Sequence, residues 1–99
     1  MAPLRTPQAD SDLDEIWHYV ASKSGSLDIA DRFIDSITDR FFLLASHPHI
    51  GRARDEELRP GLRTFAVGEY VIVYRIQEKC VVILRVLRGS RNIEAMLRH

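Results

Sequence analysis

Twelve of the fourteen basic residues in this 99-residue chain are arginine, the side chain suited to bidentate pairing with carboxylate or phosphate. They gather late in the sequence. Met1 to His47 holds four basic and eight acidic residues and Pro48 to His99 ten basic and six acidic, so a net charge of zero hides an acidic first half and a basic second. Arg63, Arg75, Arg85, Arg88 and Arg91 form the chemical concentration of that second half. Such a surface calls for an anionic partner, either nucleic acid or an acidic protein segment, with a merely solvated surface as the plain alternative. Arg63 and Arg85 fall on a sheet face that reads as buried, where pairing with carboxylates such as Glu69 or with backbone carbonyls is expected. Arg88 and Arg91 fall in the loop after the last strand. Together with Arg98 they are the candidates for target binding or anion pairing.

Other chemistry is missing. There is no Ser/His/Asp order, phosphate loop, Walker motif or HExxH. The helix carboxylates recur at i, i+3 and i+4 and read as solvated surface. The four histidines are scattered, and His47-Pro48-His49 reads as the end of a helix, so no metal site is expected. No catalytic residue and no cofactor are predicted. A composition of 45% hydrophobic and 28% charged residues argues for a globular domain and against disorder. Residues 1–99 read as one domain. Cys80, the single cysteine, has no internal disulfide partner, which fits a reducing cytoplasm. No apolar run approaches the ~18 residues of a membrane span, and MAPLRTPQAD lacks the apolar stretch of a secretory signal.

The arginines must be positioned by the stretch Leu62 to Leu87, which reads as three strands joined at Gly68-Glu69 and Glu78-Lys79. Two-residue turns set the register, pairing Val67 with Tyr70 and Gln77 with Cys80. One face then carries Arg63, Phe65, Val67, Tyr70, Ile72, Tyr74, Ile76, Val81, Ile83, Arg85 and Leu87. The other carries Leu62, Thr64, Ala66, Val71, Val73, Arg75, Cys80, Val82, Leu84 and Val86. Both are largely apolar, whereas an antiparallel sheet normally wets one face.

Before the sheet, Leu4-Arg5 could form a short first strand. Thr6-Pro7 starts a helix, with threonine as N-cap and proline at the first helical position. Ala9, Leu13, Ile16, Trp17, Val20 and Ala21 give it an apolar stripe, and Gly25 ends it. Ser26 caps a second helix whose stripe is Ala30, Phe33, Ile34, Ile37, Phe41 and Leu44, and Pro48 stops it. Pro48 to Gly61 reads as a charged connection. Ser90 caps a short last helix, Arg91 to His99. The fold class is therefore α+β: an N-terminal helical hairpin packed on one face of a twisted antiparallel sheet, made of a short first strand and a three-strand meander, with a short C-terminal helix. The hairpin covers the aromatic-rich face. The Val71/Val73/Val82/Leu84/Val86 face is then expected to be completed by another chain.

Taken in order, Pro48-x-Ile50-Gly51-Arg52, Arg59-Pro60-Gly61-Leu62-Arg63-x-Phe65, Gly68-x-Tyr70-x-Ile72-x-Tyr74-Arg75 and Val86-Leu87-x-Gly89-Ser90-Arg91 resemble the ParE/RelE superfamily of type II toxins, and the ParE branch specifically. The resemblance covers nearly the whole chain. It implies a ParD-type antitoxin partner whose acidic, apolar C-terminal segment wraps the toxin, usually as two toxins with two antitoxins. Contact with DNA would come only indirectly, through the antitoxin's DNA-binding domain, and no membrane is involved. The implied antitoxin surface is the spare face: Leu62, Thr64, Val71, Val73, Arg75, Val82, Leu84 and Val86.

The branches differ in target. RelE-like toxins cleave messenger RNA on the ribosome with basic residues on the open face and a tyrosine near the C-terminus. Here those positions look like Leu62, Thr64 and Val71, with Leu97 for the tyrosine, and only Arg91 matches. Leucine, threonine and valine supply neither proton transfer nor charge stabilisation of any strength. ParE-like toxins are similar in inhibiting DNA gyrase without a hydrolytic site, which is the expected function, with the ribonuclease as the alternative. Many relatives carry histidine where this chain has Arg88.

Overall fold

Thr6 opens the first helix as its type predicts, its hydroxyl accepting from the Ala9 amide at 3.1 Å. The structure, a computed structural model, describes residues 2–54 and 60–89. Helix α1 spans Pro7–Ser24 and ends at Gly25, whose φ of 69° is the left-handed cap. Helix α2 spans Leu27–Ser46, with Ser26 accepting from the Ile29 amide at 3.2 Å. So short a link folds the two back as an antiparallel hairpin. Trp17, expected in the core, sits instead at the rim of the hairpin, where its indole N–H donates to Asp31 Oδ1 at 2.8 Å.

The strands are β1 (Leu4–Arg5), β2 (Arg52–Ala53), β3 (Leu62–Val67), β4 (Tyr70–Gln77) and β5 (Cys80–Arg88), in the order β1-β5-β4-β3-β2. The meander has the expected register, Val67 opposite Tyr70 and Gln77 opposite Cys80. At its second turn Glu78 and Lys79 take φ of 50° and 66°, the left-handed pair a type I′ hairpin needs. Two expectations are corrected. The sheet is mixed, because β1 runs parallel to β5. The connection from Pro48 is also not all loop: a 3₁₀ turn at Pro48–Ile50 leads into β2, which is too short to show a period of two. The expected helix from Arg91 to His99 lies outside the described residues.

The hairpin covers one sheet face, packing Ile37, Phe41 and Leu44 against Ile72, Tyr74 and Ile83. Phe33 meets Tyr70 edge to face at 5.7 Å. On the other face Leu62, Val73 and Leu87 form a second cluster, flanked by Val71 and Leu84. Val73 is 0% exposed and Leu62 4%. The centre of the face expected to await another chain is therefore buried within this one. Large apolar side chains in solvent include Leu27 and Phe42 on the hairpin, 64% and 59% exposed, and Leu4 on β1, 56% exposed.

The face assignment holds up to Ile83 and then fails. Tyr74 pairs with Ile83 but Val73 pairs with Arg85, so Leu84 is an extra residue in β5. This β-bulge shifts the alternation by one. Val86, assigned to the spare face, lies under the hairpin, and Leu87 turns to the second cluster.

Candidate functional site

The bulge is held by the first helix and its N-cap residue. The Thr6 hydroxyl donates to the Leu84 carbonyl at 2.8 Å, and the Thr6 amide donates to the Ile83 carbonyl at 3.0 Å. Beyond the end of β1, Asp12 takes over. Its Oδ2 accepts from the Val86 amide at 2.9 Å and from Arg85 Nε at 2.8 Å, while Oδ1 accepts from Arg85 Nη2 at 2.9 Å. The backbone groups displaced by the bulge thus find partners instead of staying buried and unpaired. Asp12 is 8% exposed; its bond raises the Arg85 guanidinium pKa above its ordinary value, against the opposing effect of burial. Arg85 therefore pairs with a carboxylate, as expected, but with Asp12 and not Glu69. Asp12, one of the helix carboxylates whose spacing reads as solvated surface, is thus buried instead. The signal that identifies it is its place in the apolar stripe, three residues after Ala9 and four before Ile16.

Beside this clasp runs an open groove of about 390 Å³ between α1 and the end of β5, lined by Glu15, Ile16, Tyr19, Tyr70, Val86 and Arg88 among others. Arg88 closes β5 as its last residue instead of lying in a loop. It stands opposite Tyr70, 5.6 Å from the Tyr19 ring centroid, a cation–π distance. Its Nη2 also donates to Glu69 Oε2 at 3.3 Å, long for a charge-assisted bond and between exposed partners. Burial raises the Tyr70 pKa, and the Arg88 charge opposes that rise. Arg91 and Arg98 lie outside the described residues.

A second tyrosine–arginine cluster lies at the other end of β4. The Tyr74 hydroxyl donates to the Pro48 carbonyl at 2.7 Å and accepts from the Gly51 amide at 2.9 Å. Arg63 Nη1 donates to the Gly51 carbonyl at 2.7 Å, with Nη2 3.3 Å from His49 Nδ1. This explains the Pro48-x-Ile50-Gly51 motif. A Cβ on Gly51 would lie 2.2 Å from the Tyr74 hydroxyl oxygen, so only glycine fits beside a buried ring.

The expected antitoxin surface is only partly brought together. Val71, Val82 and Leu84 are half-buried and Arg75 is exposed. Leu62, Thr64 and Val73 are buried, and the Thr64 hydroxyl accepts from Arg54 Nε at 2.9 Å. Val86 is on the wrong side. Among the described residues no group of three His, Cys, Asp or Glu side chains could hold a metal ion, and no helix is long and apolar enough to cross a membrane.

Residues 4–93 match the family model described as the ParE toxin of the type II toxin-antitoxin system parDE. The chain is similar to Toxin ParE3 of Caulobacter vibrioides, 38% identical over 95% of this chain and 92% of the relative. Toxin ParE1 of the same organism is 38% identical over 98% of this chain and 99% of the relative. Toxin RelE3, also from Caulobacter vibrioides, is 34% identical over 81% of this chain and 85% of its own length. A solved structure titled "Chromosomal ParDE TA system from P. aeruginosa" superposes with a TM-score of 0.78 at 26% identity, covering 91% of this chain and 97% of that one.

Proposed function

We propose, since the chain belongs to the ParE toxin family of type II toxin-antitoxin systems, that it is the toxin of such a pair and arrests growth by inhibiting DNA gyrase. It does so without a hydrolytic site of its own, and a ParD-type antitoxin neutralises it. The observation that carries this reading is 38% identity to two ParE toxins over nearly the full length of each. The sheet supports it. Where a ribonuclease of the superfamily needs basic residues, this chain has Leu62 and Thr64, both buried, and Val71.

The antitoxin is proposed to reach the second sheet face through the parts that remain open there, Val71, Arg75, Val82 and Leu84. Two toxins with two antitoxins is the proposed assembly, acting in the cytoplasm and touching DNA only through the antitoxin. Arg88, at the mouth of the groove, is the proposed contact for the target or for an anionic partner group, with Arg91 and Arg98 after it. A second reading, ribosome-dependent cleavage of messenger RNA, is favoured by the similarity to RelE3.

Induced expression of the chain alone in bacteria, following DNA and protein synthesis separately, tests the two. Gyrase inhibition stops DNA synthesis first, with double-strand breaks. Protein synthesis failing first gives the ribonuclease reading, and no effect on either removes the toxin while leaving the fold.

A further inference from the structure

The end of β5 has two ways to pair. Without the bulge, Leu84 would oppose Val73, Arg85 would oppose Ile72, Val86 would oppose Val71 and Leu87 would oppose Tyr70. That straight ladder is what strict alternation from the turn at Glu78-Lys79 predicts. It offers Leu87 to the hairpin in place of Val86, an apolar residue for an apolar residue, so burial at that position discriminates weakly. It also turns Arg85 toward Ile72, which is fully buried, and leaves Arg88 beyond Tyr70, away from the groove.

The observed pairing sets Val86 opposite Ile72, Leu87 opposite Val71 and Arg88 opposite Tyr70. It frees the Val86 amide from regular edge pairing and draws the Arg85 guanidinium to the strand's edge. One carboxylate answers both, because Asp12 accepts from the Val86 amide and from two Arg85 nitrogens. In the straight ladder Val86 moves opposite Val71, and the geometry in which one carboxylate serves both the Val86 amide and the Arg85 guanidinium is lost. We propose that Asp12 is a positioning residue: by clasping Arg85 and the Val86 amide it selects the bulged register of β5 and so places Arg88 against Tyr19 and Tyr70 at the groove. Thr6 also holds the bulge, through the carbonyl of the extra residue Leu84, while its amide bonds the Ile83 carbonyl before the point where the two registers part.

The register itself stands apart from the toxin reading; that Arg88 matters once placed rests on it. The test is methyl and aromatic Overhauser spectroscopy on the full chain, comparing wild type, Asp12→Ala, and Asp12→Ala with Leu84 deleted. Deleting Leu84 removes the extra residue, so a straight ladder then gives Val86 opposite Ile72 and Arg88 opposite Tyr70 with no carboxylate needed. Wild type should show Val86–Ile72 contacts. Asp12→Ala should lose them and gain Leu87–Tyr70 contacts, and the deletion should restore the first set. Growth arrest on induction should follow, falling at least tenfold in Asp12→Ala and recovering with the deletion.

A residue that only stabilised the fold would give the opposite, since a second lesion would deepen the loss. Retention of Val86–Ile72 contacts in Asp12→Ala overturns the proposal. So does a deletion that fails to restore them. If Asp12→Ala does not fold, the doubly changed chain decides alone: folded with Val86 on Ile72 supports the assignment, unfolded sinks it. A wild-type chain that arrests nothing removes the toxin reading and leaves the register result standing.

Discussion

Strand β4 carries a tyrosine near each end, and each has an arginine beside it, yet the two clusters are used in opposite ways. Around Tyr74 the polar groups bond internally. The hydroxyl bonds both Pro48 and Gly51, and Arg63 bonds Gly51 in turn. Around Tyr70 the ring is packed against Phe33, beside the Arg88 charge. Arg88 there has a stacking contact and a long, exposed ion pair. The first cluster fastens the end of α2 to the sheet. The second faces an open groove with donors to spare. Residue type therefore says little about role here; what distinguishes them is whether the hydrogen-bonding capacity is already spent.

Substitutions should separate the clusters accordingly. Gly51→Ala forces a methyl group into the Tyr74 ring and should cost about 1–3 kcal/mol or more of stability, read as a lowered denaturation midpoint in urea. Tyr74→Phe keeps the ring but strands the Gly51 amide, at a cost of about 1–3 kcal/mol. Alkaline titration gives a smaller effect on the same cluster. Burial raises the Tyr74 pKa above its ordinary 10.0, so the folded chain holds the phenol proton more tightly than the unfolded chain. Its contribution is present in full below pH 10.0, and stability falls as pH rises from there through the raised folded value. Tyr74→Phe should flatten that slope. Arg88→Ala should do the reverse of all these, leaving the midpoint unchanged in urea while abolishing growth arrest. If Gly51→Ala were silent and Arg88→Ala unfolded the chain, the comparison would be wrong.

Most of the fold was legible because its signals are local. Caps at Thr6 and Ser26, a left-handed Gly25 and two-residue turns each act within a few residues, and helix and meander follow from them. The failures share a different cause. Strand β2 exists only because Arg52 and Ala53 meet Thr64 and Arg63, and no period announces it. The bulge depends on Asp12, more than seventy positions away from Val86. A carboxylate within an apolar helical stripe was the visible hint. Its donors are not visible in the sequence, where strict alternation points Val86 to the other face and local pattern points Arg88 to a loop and Asp12 to solvent. Burial of Leu62 and Val73 was equally beyond reach, since an apolar strand face looks the same whether its own chain or a partner covers it.

The proposed toxin disables gyrase through a surface containing Arg88 and without cutting nucleic acid itself. Supercoiling of relaxed plasmid by purified gyrase, with the full chain added as wild type or as Arg88→Ala, tests this most directly. The wild-type chain should suppress supercoiling and the Arg88→Ala chain should not, at equal folded concentration. Undiminished supercoiling with wild-type chain, together with cleavage of ribosome-bound messenger RNA by the same preparation, would contradict it.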